Sequence, residues 1–155
     1  MTVERLMRKD VKSCSPSDTL STAAKLMWEN VCGCVPVIDT HGKPIGVLTD
    51  RDICMGAYTQ GKPLDAIRVE QSSSEKVITC RAQDEVETAI ILMTRHSLRR
   101  LPVVTSDGRL CGIVSLDDLA CESLRNLRGS TNRELAAHVG EAFLAICSRR
   151  SRHVA

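Results

Sequence analysis

The sequence predicts an α+β fold in which two β-α-β-β-α repeats pack about a pseudo-twofold axis, with a further helix at the C-terminal end. Three observations predict it. The phrase GVLTDRDIC at 46–54 returns as GIVSLDDLA at 112–120, each copy combines one helical period with two short β-branched runs, and an amphipathic segment follows the second copy. We therefore expect a duplicated fold with a C-terminal extension.

The duplication extends over most of the chain without a gap. Val3 aligns with Val69, which sets an offset of 66 positions (69 − 3), and Asp52 aligns with Asp118 at the same offset. A match over so long a stretch indicates a repeated structural unit rather than chance. We divide the chain into a first repeat (1–60), a linker (61–75), a second repeat (76–124) and a helical extension (125–155).

Each copy begins with a short strand, VKSC or VITC, and continues into an amphipathic helix. The apolar residues recur at positions i, i+3, i+4 and i+7, which places them on one helix face. They are Leu20, Ala23, Ala24 and Met27 in the first copy and Val86, Ala89, Ile90 and Met93 in the second. Asp18 is a candidate cap for the first helix, and Asp84 with Glu87 is a candidate capping box for the second.

Two β-branched runs follow each helix, VPVI with IGVL and LPVV with CGIV, joined by turns that contain HG or DG and suit a hairpin. A second helix then begins at TDRDI or SLDDL. The linker is polar, with one short helical turn expected near 64–69. The extension carries an apolar helix face that must dock on its own module or on another subunit, and we favour a dimer contact: Leu135, Val139, Ala142, Phe143 and Ile146.

Composition excludes several classes of function. The net charge of +2 is interspersed, and three aromatic residues leave little for nucleobases to stack on, so nucleic-acid binding is disfavoured. No apolar run approaches the roughly 18 residues of a membrane span, and we expect a cytoplasmic protein without membrane association. The four histidines have no catalytic partners nearby, so we predict no enzyme activity and no cofactor or metal.

The eight cysteines lie mostly among apolar residues, and the nearest pair, Cys32 and Cys34, is not a CxxC motif. In a reducing compartment such residues act as small core hydrophobes. A redox role remains the alternative.

One face of each repeat's sheet would stay uncovered by its own helices, so we expect the two copies to pack sheet against sheet. Two symmetry-related clefts would then form between the copies, and such clefts favour small ligands. A strand that ends at Thr49 and turns into a helix would direct free N–H groups toward a phosphate, while Asp52 could accept from ribose hydroxyls. Thr49-x-x-Asp52 and Ser115-x-x-Asp118 also spell a helix capping box, which requires no ligand, and both interpretations stay open.

The segments VPVIDTHGKPIGVLTDRDI and RRLPVVTSDGRLCGIVSLDDLA resemble a tandem pair of cystathionine-β-synthase (CBS) domains, or Bateman module, over roughly residues 1 to 124. The resemblance implies an adenosine-containing ligand between the copies: AMP, ADP or ATP first, with S-adenosylmethionine or NAD(H) as further candidates. Both copies match the family's binding motif of Gly, an apolar residue, any residue, Thr or Ser, and Asp three residues later. A disc-like homodimer is also implied.

The predicted ligand contacts fall in both copies. Val35, Pro36, Leu101 and Pro102 are candidates for apolar walls around an adenine, and Arg51, Arg99 and Arg100 for phosphate contacts. Arg99 and Arg100 are equally compatible with a solvated surface. Ser13 and Thr79 resemble family residues that face the sugar or phosphate. The complete set is Ser13, Val35, Pro36, Thr49, Arg51, Asp52, Thr79, Arg99, Arg100, Leu101, Pro102, Ser115 and Asp118.

Asp117 takes the place of Arg51 in the second copy, which adds negative charge there, so we expect the Thr49 and Asp52 site to be the better one. The sequence thus favours a regulatory sensor of an adenosine nucleotide that acts on an unknown protein. The alternative is a ligand-free, homodimeric scaffold protein, redox-responsive through its cysteines in one variant.

Overall fold

The computed structural model describes residues 1–125 and 130–151, which form a mixed α/β structure in two compact units. The first-repeat unit comprises residues 10–77 and 106–110. The second-repeat unit comprises residues 1–9, 78–105 and the described residues from Cys111 onward. Each unit therefore has one repeat as its main part and a short piece of chain from the other.

The first-repeat unit contains two helices and one antiparallel strand pair. Helix α1 spans Leu20–Glu29, strand β1 Cys34–Ile38, strand β2 Pro44–Thr49 and helix α2 Asp50–Gln60. β1 and β2 pair in the predicted hairpin. The strand predicted at VKSC is reduced to a single parallel bridge between Cys14 and Val37, because the chain turns away immediately afterwards at Ser15.

The second-repeat unit has a three-stranded sheet and three helices. Its elements are β3 (Cys80–Arg81), α3 (Val86–His96), β4 (Arg100–Val104), β5 (Leu110–Ser115), α4 (Leu116–Arg125) and α5 (Ser130–Ser151). The strand order is β3-β4-β5, with β3 parallel to β4. The predicted β-α-β-β-α order is thus complete in this copy.

The predicted apolar helix faces form the cores. Leu20, Ala23 and Met27 are buried in the first-repeat unit, and all four predicted α3 residues are buried in the second, whereas Ala24 is half-buried. Helix α5 buries four of its five predicted residues against α3 and α4 of its own chain, and Phe143 stays 46% exposed. The favoured docking of this helix in a dimer is therefore wrong, because its apolar face already has a partner within the unit.

Each unit is completed by a segment that lies N-terminal to the first helix of the other repeat, and we call these two segments, residues 1–9 and 67–74, the exchanged segments. The N–H of Val3 donates to the carbonyl of Asp84 (2.9 Å), and that of Val69 donates to the carbonyl of Asp18 (2.8 Å). These bonds are equivalent at the 66-residue offset, since 84 − 18 is also 66. Val3 and Val69 are fully buried. The second bond lies in the segment predicted as a linker, which forms two 3₁₀ turns, Leu64–Ala66 and Val69–Gln71, in place of one.

The predicted caps of α1 and α3 are wrong. Asp18 accepts from the N–H of Ser15 (2.7 Å) and Asp84 from that of Arg81 (2.8 Å), so both aspartates close the turn that leads to the helix. Thr19 caps α1 instead, accepting from the N–H of Thr22. An aspartate can stabilise a preceding turn as well as a helix end, and its sequence position alone does not separate the two roles.

The turn after α1 places a β-branched residue in the left-handed region. Val31 has φ 49° and is 93% exposed, while the equivalent Ser97 after α3 has φ 56°. The next N–H closes the helix end in both copies, from Cys32 to Met27 (3.0 Å) and from Leu98 to Met93 (2.9 Å). A valine in this conformation costs stability, because its Cβ crowds the backbone.

We predict that Val31→Gly raises the free energy of unfolding by about 1 kcal/mol, since it removes this strain and sacrifices almost no buried surface. Thermal or urea unfolding measures the change. Val31→Ala is the matched control, because it shortens the side chain but keeps a Cβ. Equal stabilities of the two variants would contradict the role assigned to the backbone angle.

Candidate functional site

The first candidate site lies where β2 passes into α2. The N–H and the hydroxyl of Thr49 both donate to Oδ2 of Asp52 (2.9 and 2.7 Å), and the N–H of Asp52 donates back to Thr49 Oγ1 (3.2 Å). The structure therefore contains the capping box that the sequence allowed. Among the described residues nothing bonds to Oδ1 of Asp52, which leaves this half-buried carboxylate with one oxygen available.

The first N–H groups of α2 are already used within the chain. Asp50 donates to the carbonyl of Gly33 (3.2 Å) and Arg51 to the carboxylate of Asp50 (2.7 Å), while Thr49 and Asp52 bond each other. The prediction of free N–H groups directed at a phosphate is therefore wrong for this helix. A phosphate at this site would need a side-chain cation, and Arg51 is the exposed one at hand.

The second candidate site repeats the box and adds an ion pair. The N–H and the hydroxyl of Ser115 donate to Oδ2 of Asp118, and the N–H of Asp118 donates to the Ser115 hydroxyl (3.1 Å). Oδ1 of Asp118 accepts from Nε of Arg8 at 3.0 Å. Both oxygens of the Asp118 carboxylate thus have a partner, whereas among the described residues only Oδ2 of Asp52 has one.

The glycine of each motif makes room for the exchanged segment. A Cβ on Gly46 would lie 2.7 Å from the carbonyl oxygen of Ser74, and one on Gly112 would lie 2.5 Å from Sδ of Met7. Ser74 and Met7 belong to the two segments that complete the units. These glycines therefore have a packing role that does not depend on a ligand.

Arg99 and Arg100 have a partner in Asp117. Their guanidinium groups lie 3.7 and 3.9 Å from the two oxygens of its carboxylate. Arg99, the residue before β4, also lies over the Phe143 ring of α5, 5.7 Å from its centroid. The extra acid of the second copy is thus balanced within the chain, and the two arginines are not simply solvated.

Ser13 lines a cavity of about 560 Å³ with neighbouring hydroxyl residues. Its wall includes Ser15, Ser17, Asp39 and Ile45 but neither Thr49 nor Asp52. Bonds from the N–H groups of Lys43 and His41 hold the pKa of the Asp39 carboxyl below its usual value, so this wall carries a negative charge.

The other predicted residues lie in different environments. Val35 and Leu101 have no exposed surface and pack in the cores of their units. Pro36 and Pro102 are buried beside them in β1 and β4, and Thr79 is half-buried just before β3. The structure joins Thr49 to Asp52 and Ser115 to Asp118, and it leaves the apolar candidates within the sheets.

Sequence reasoning missed Arg8 and Ser74, which the exchange brings to the two sites. Arg8 bonds the backbone of Ile113 in both directions (2.9 and 3.0 Å), and Ser74 donates to the equivalent carbonyl of Val47 (3.1 Å). The 66-residue offset aligns Arg8 with Ser74 and is the signal that could have found them. It does not reveal which copy each segment contacts.

Two family matches cover the repeats. The CBS domain family matches residues 3–56 and 69–124. The chain belongs to the CBS domain family. The second match begins at Val69, within the predicted linker, so this CBS pair includes residues that composition alone assigns to a connection.

The CBS pair is similar to proteins of Methanopyrus kandleri and Bacillus subtilis. An uncharacterized protein of Methanopyrus kandleri is 35% identical over 119 residues, which are 77% of this chain and 61% of that protein. A CBS domain-containing protein of Bacillus subtilis is 36% identical over 124 residues, which are 80% of this chain and 86% of the relative.

A solved structure extends the similarity to a liganded protein. The CBS domain pair of protein MJ0100, in complex with methylthioadenosine and S-adenosyl-L-methionine, is 26% identical with a TM-score of 0.70. The alignment covers 79% of this chain and 94% of that one. Within residues 1–125 and 130–151, no helix of this CBS pair is long and apolar enough to cross a membrane, and no cluster of His, Cys, Asp or Glu could hold a metal.

Three cysteines are buried, two are half-buried and three are exposed. Burial raises the pKa of the Cys14 thiol to about 11 and that of Cys80 to about 12, so both are protonated at neutral pH. Cys54, Cys121 and Cys147 are exposed. Any redox response would therefore begin at the exposed group, because the thiolate is the reactive form.

We predict that a thiol reagent at pH 8 modifies the exposed cysteines of the native CBS pair quickly and Cys14 and Cys80 only upon unfolding. Mass spectrometry of the modified peptides measures this. Because the folded pKa values lie above the unfolded value of 9.0, the stability these two thiols contribute is present below pH 9 and is lost as pH rises toward 11 to 12. Modification of Cys80 as fast as that of Cys54 would contradict the assignment.

Proposed function

We propose that this CBS pair is a regulatory module, not an enzyme, that binds an adenosine-containing ligand through Asp52. AMP, ADP or ATP is the first choice, and S-adenosylmethionine or NAD(H) suits the same chemistry. Ligand binding would change which conformation a partner protein meets. No cofactor is required for this role.

The observation that carries the proposal is that the two oxygens of the Asp52 carboxylate differ in their partners. Oδ2 is fixed by the N–H and the hydroxyl of Thr49, and Oδ1 has no bond among the described residues. A carboxylate held in this way is oriented before a ligand arrives, so little side-chain entropy is lost upon binding. A ribose diol offers the two hydroxyl donors that such an acceptor takes.

Arg51 is the proposed phosphate contact. It is exposed and adjacent to Asp52 on α2, and the helix N–H groups are already bonded, so the guanidinium is the remaining donor in this turn. A guanidinium binds phosphate through paired, charge-assisted hydrogen bonds. The methylthioadenosine and S-adenosyl-L-methionine bound by the MJ0100 pair support an adenosine group as the shared part of the ligand.

We place this activity in the cytoplasm. The eight cysteines form no disulfide among the described residues, which suits a reducing compartment. The proposed partner is a regulated protein rather than a membrane or a nucleic acid.

We predict that AMP raises the melting temperature of the wild-type chain and that Asp52→Asn weakens AMP binding by about tenfold or more, since a hydrogen bond to a charged acceptor is lost. Isothermal titration calorimetry measures the affinity. Asparagine retains an oxygen for the Thr49 cap, so the fold is preserved.

Asp50→Asn is the matched control, because it removes the same charge from the first turn of α2 outside the box. A comparable loss in both variants would assign the effect to general electrostatics. Absence of binding by AMP, ADP, ATP, S-adenosylmethionine and NADH to the wild-type chain would reject the proposal and favour the scaffold.

Self-association is a second candidate function, favoured by one exposed apolar face. Trp28, Val31 and Tyr58, on and beside α1 and α2, are 86%, 93% and 80% exposed. The equivalent helices of the second repeat, α3 and α4, are covered by α5. We propose that a second copy of the chain covers the α1 and α2 face, as in a homodimer.

We predict that Trp28→Ala weakens the dimer by about tenfold or more, since tryptophan is among the few residue types that dominate the energy of an interface. Sedimentation equilibrium measures the dimer dissociation constant. Leu144→Ala is the control, because Leu144 is 69% exposed on α5, outside the proposed face. A wild-type chain that stays monomeric at high concentration would contradict this candidate.

A further inference from the structure

We propose that Arg8 is a specificity-determining residue that competes with a ribose diol for Asp118, so that the two copies differ in affinity for the same ligand. The inference rests on the proposed function and deepens it. It concerns a residue that belongs to neither copy of the binding motif.

Both oxygens of the Asp118 carboxylate have a partner while Arg8 is in place. Oδ2 accepts from Ser115, and Oδ1 accepts from Nε of Arg8 at 3.0 Å. The side chain of Asp118 is only 14% exposed, so few alternative approaches to its oxygens exist. Oδ1 can accept two hydrogen bonds, and the two hydroxyls of a diol need both, so the guanidinium must leave before the full contact forms.

The backbone of Arg8 is held next to the site by the exchanged segment. Its N–H donates to the carbonyl of Ile113 (2.9 Å) and its carbonyl accepts from the N–H of Ile113 (3.0 Å). Met7 packs against Gly112 on the same strand. The guanidinium therefore has a high local concentration around Asp118 and returns readily after each opening.

The first copy lacks this competitor because of a single residue difference. Ser74 occupies the equivalent position on Val47, and its hydroxyl accepts from the N–H of Val47 at 3.0 Å. The short serine side chain is committed to the strand, and Oδ1 of Asp52 stays available. The hydrogen bonds of the capping box are thus the same in both copies, and the residue that the neighbouring segment supplies is different.

The competition is reversible. The Arg8 side chain is 73% exposed, and an exposed ion pair shifts such an equilibrium by about two- to fivefold. Salt screens an exposed pair. For adenosine, which is uncharged, affinity at Asp118 should therefore rise with ionic strength in the presence of Arg8 and stay flat without it.

The test isolates the second site in an Asp52→Asn background and uses adenosine as the probe in calorimetry. Addition of Arg8→Ala should tighten adenosine binding by about two- to fivefold and abolish its salt dependence. Lys9→Ala is the matched control, because Lys9 lies on the same segment and pairs with Glu4 instead. Equal affinities with and without Arg8 would overturn the proposal.

The reciprocal variant provides an independent test that does not weaken the N-terminal segment. In an Asp118→Asn background, Ser74→Arg should weaken adenosine binding at Asp52, relative to Ser74→Ala, which also loses the bond to Val47. No difference between these two variants would count against competition by a guanidinium.

AMP separates competition from direct phosphate contact. If Arg8→Ala weakens AMP binding in the Asp52→Asn background and leaves adenosine unchanged, Arg8 is a ligand contact and the inference is wrong. Failure of the proposed function has a different signature, since neither probe would then bind the wild-type chain at all.

Discussion

The crossed backbone bonds between each repeat and the segment that precedes the other are the interaction on which the rest of the structure depends. Val3 bonds to Asp84, and Val69 bonds to Asp18, so each compact unit needs chain from both ends of the duplication. Both valines are fully buried, and their loss would open the core beside the first helix of each repeat.

The same exchange explains the glycines and the inequality of the two candidate sites. Gly46 and Gly112 permit the incoming segments to approach the second strand of each hairpin, and a Cβ at either position would collide with them. The approach then brings Arg8 to Asp118 and Ser74 to Val47. The two copies of the motif thereby differ in electrostatic environment through residues outside the motif, in addition to the exchange of Arg51 for Asp117 within it.

The capping box and the proposed ligand site are compatible because a carboxylate has two oxygens. One oxygen of Asp52 stabilises the start of α2, and the other lacks a partner among the described residues. A residue that is fixed by the fold in this way can serve recognition without a separate cost of ordering. The structural and functional interpretations of Thr49-x-x-Asp52 therefore do not exclude each other.

The sequence by itself determined the duplication, the order of helices and strands, the buried helix faces and which residues make up each copy of the motif. The spacing of apolar residues that begins at Leu20 or Val86, and the 66-residue offset between the copies, are both visible in the sequence without coordinates. The pseudo-twofold packing of the repeats stays a prediction. Tertiary structure decided that α5 covers α3 and α4, that residues 67–74 complete the first repeat, and that Arg8 reaches Asp118. These are contacts between positions far apart in the chain. Because the two copies are similar in sequence, the sequence does not show which copy a given segment contacts. Only the folded backbone selects between them.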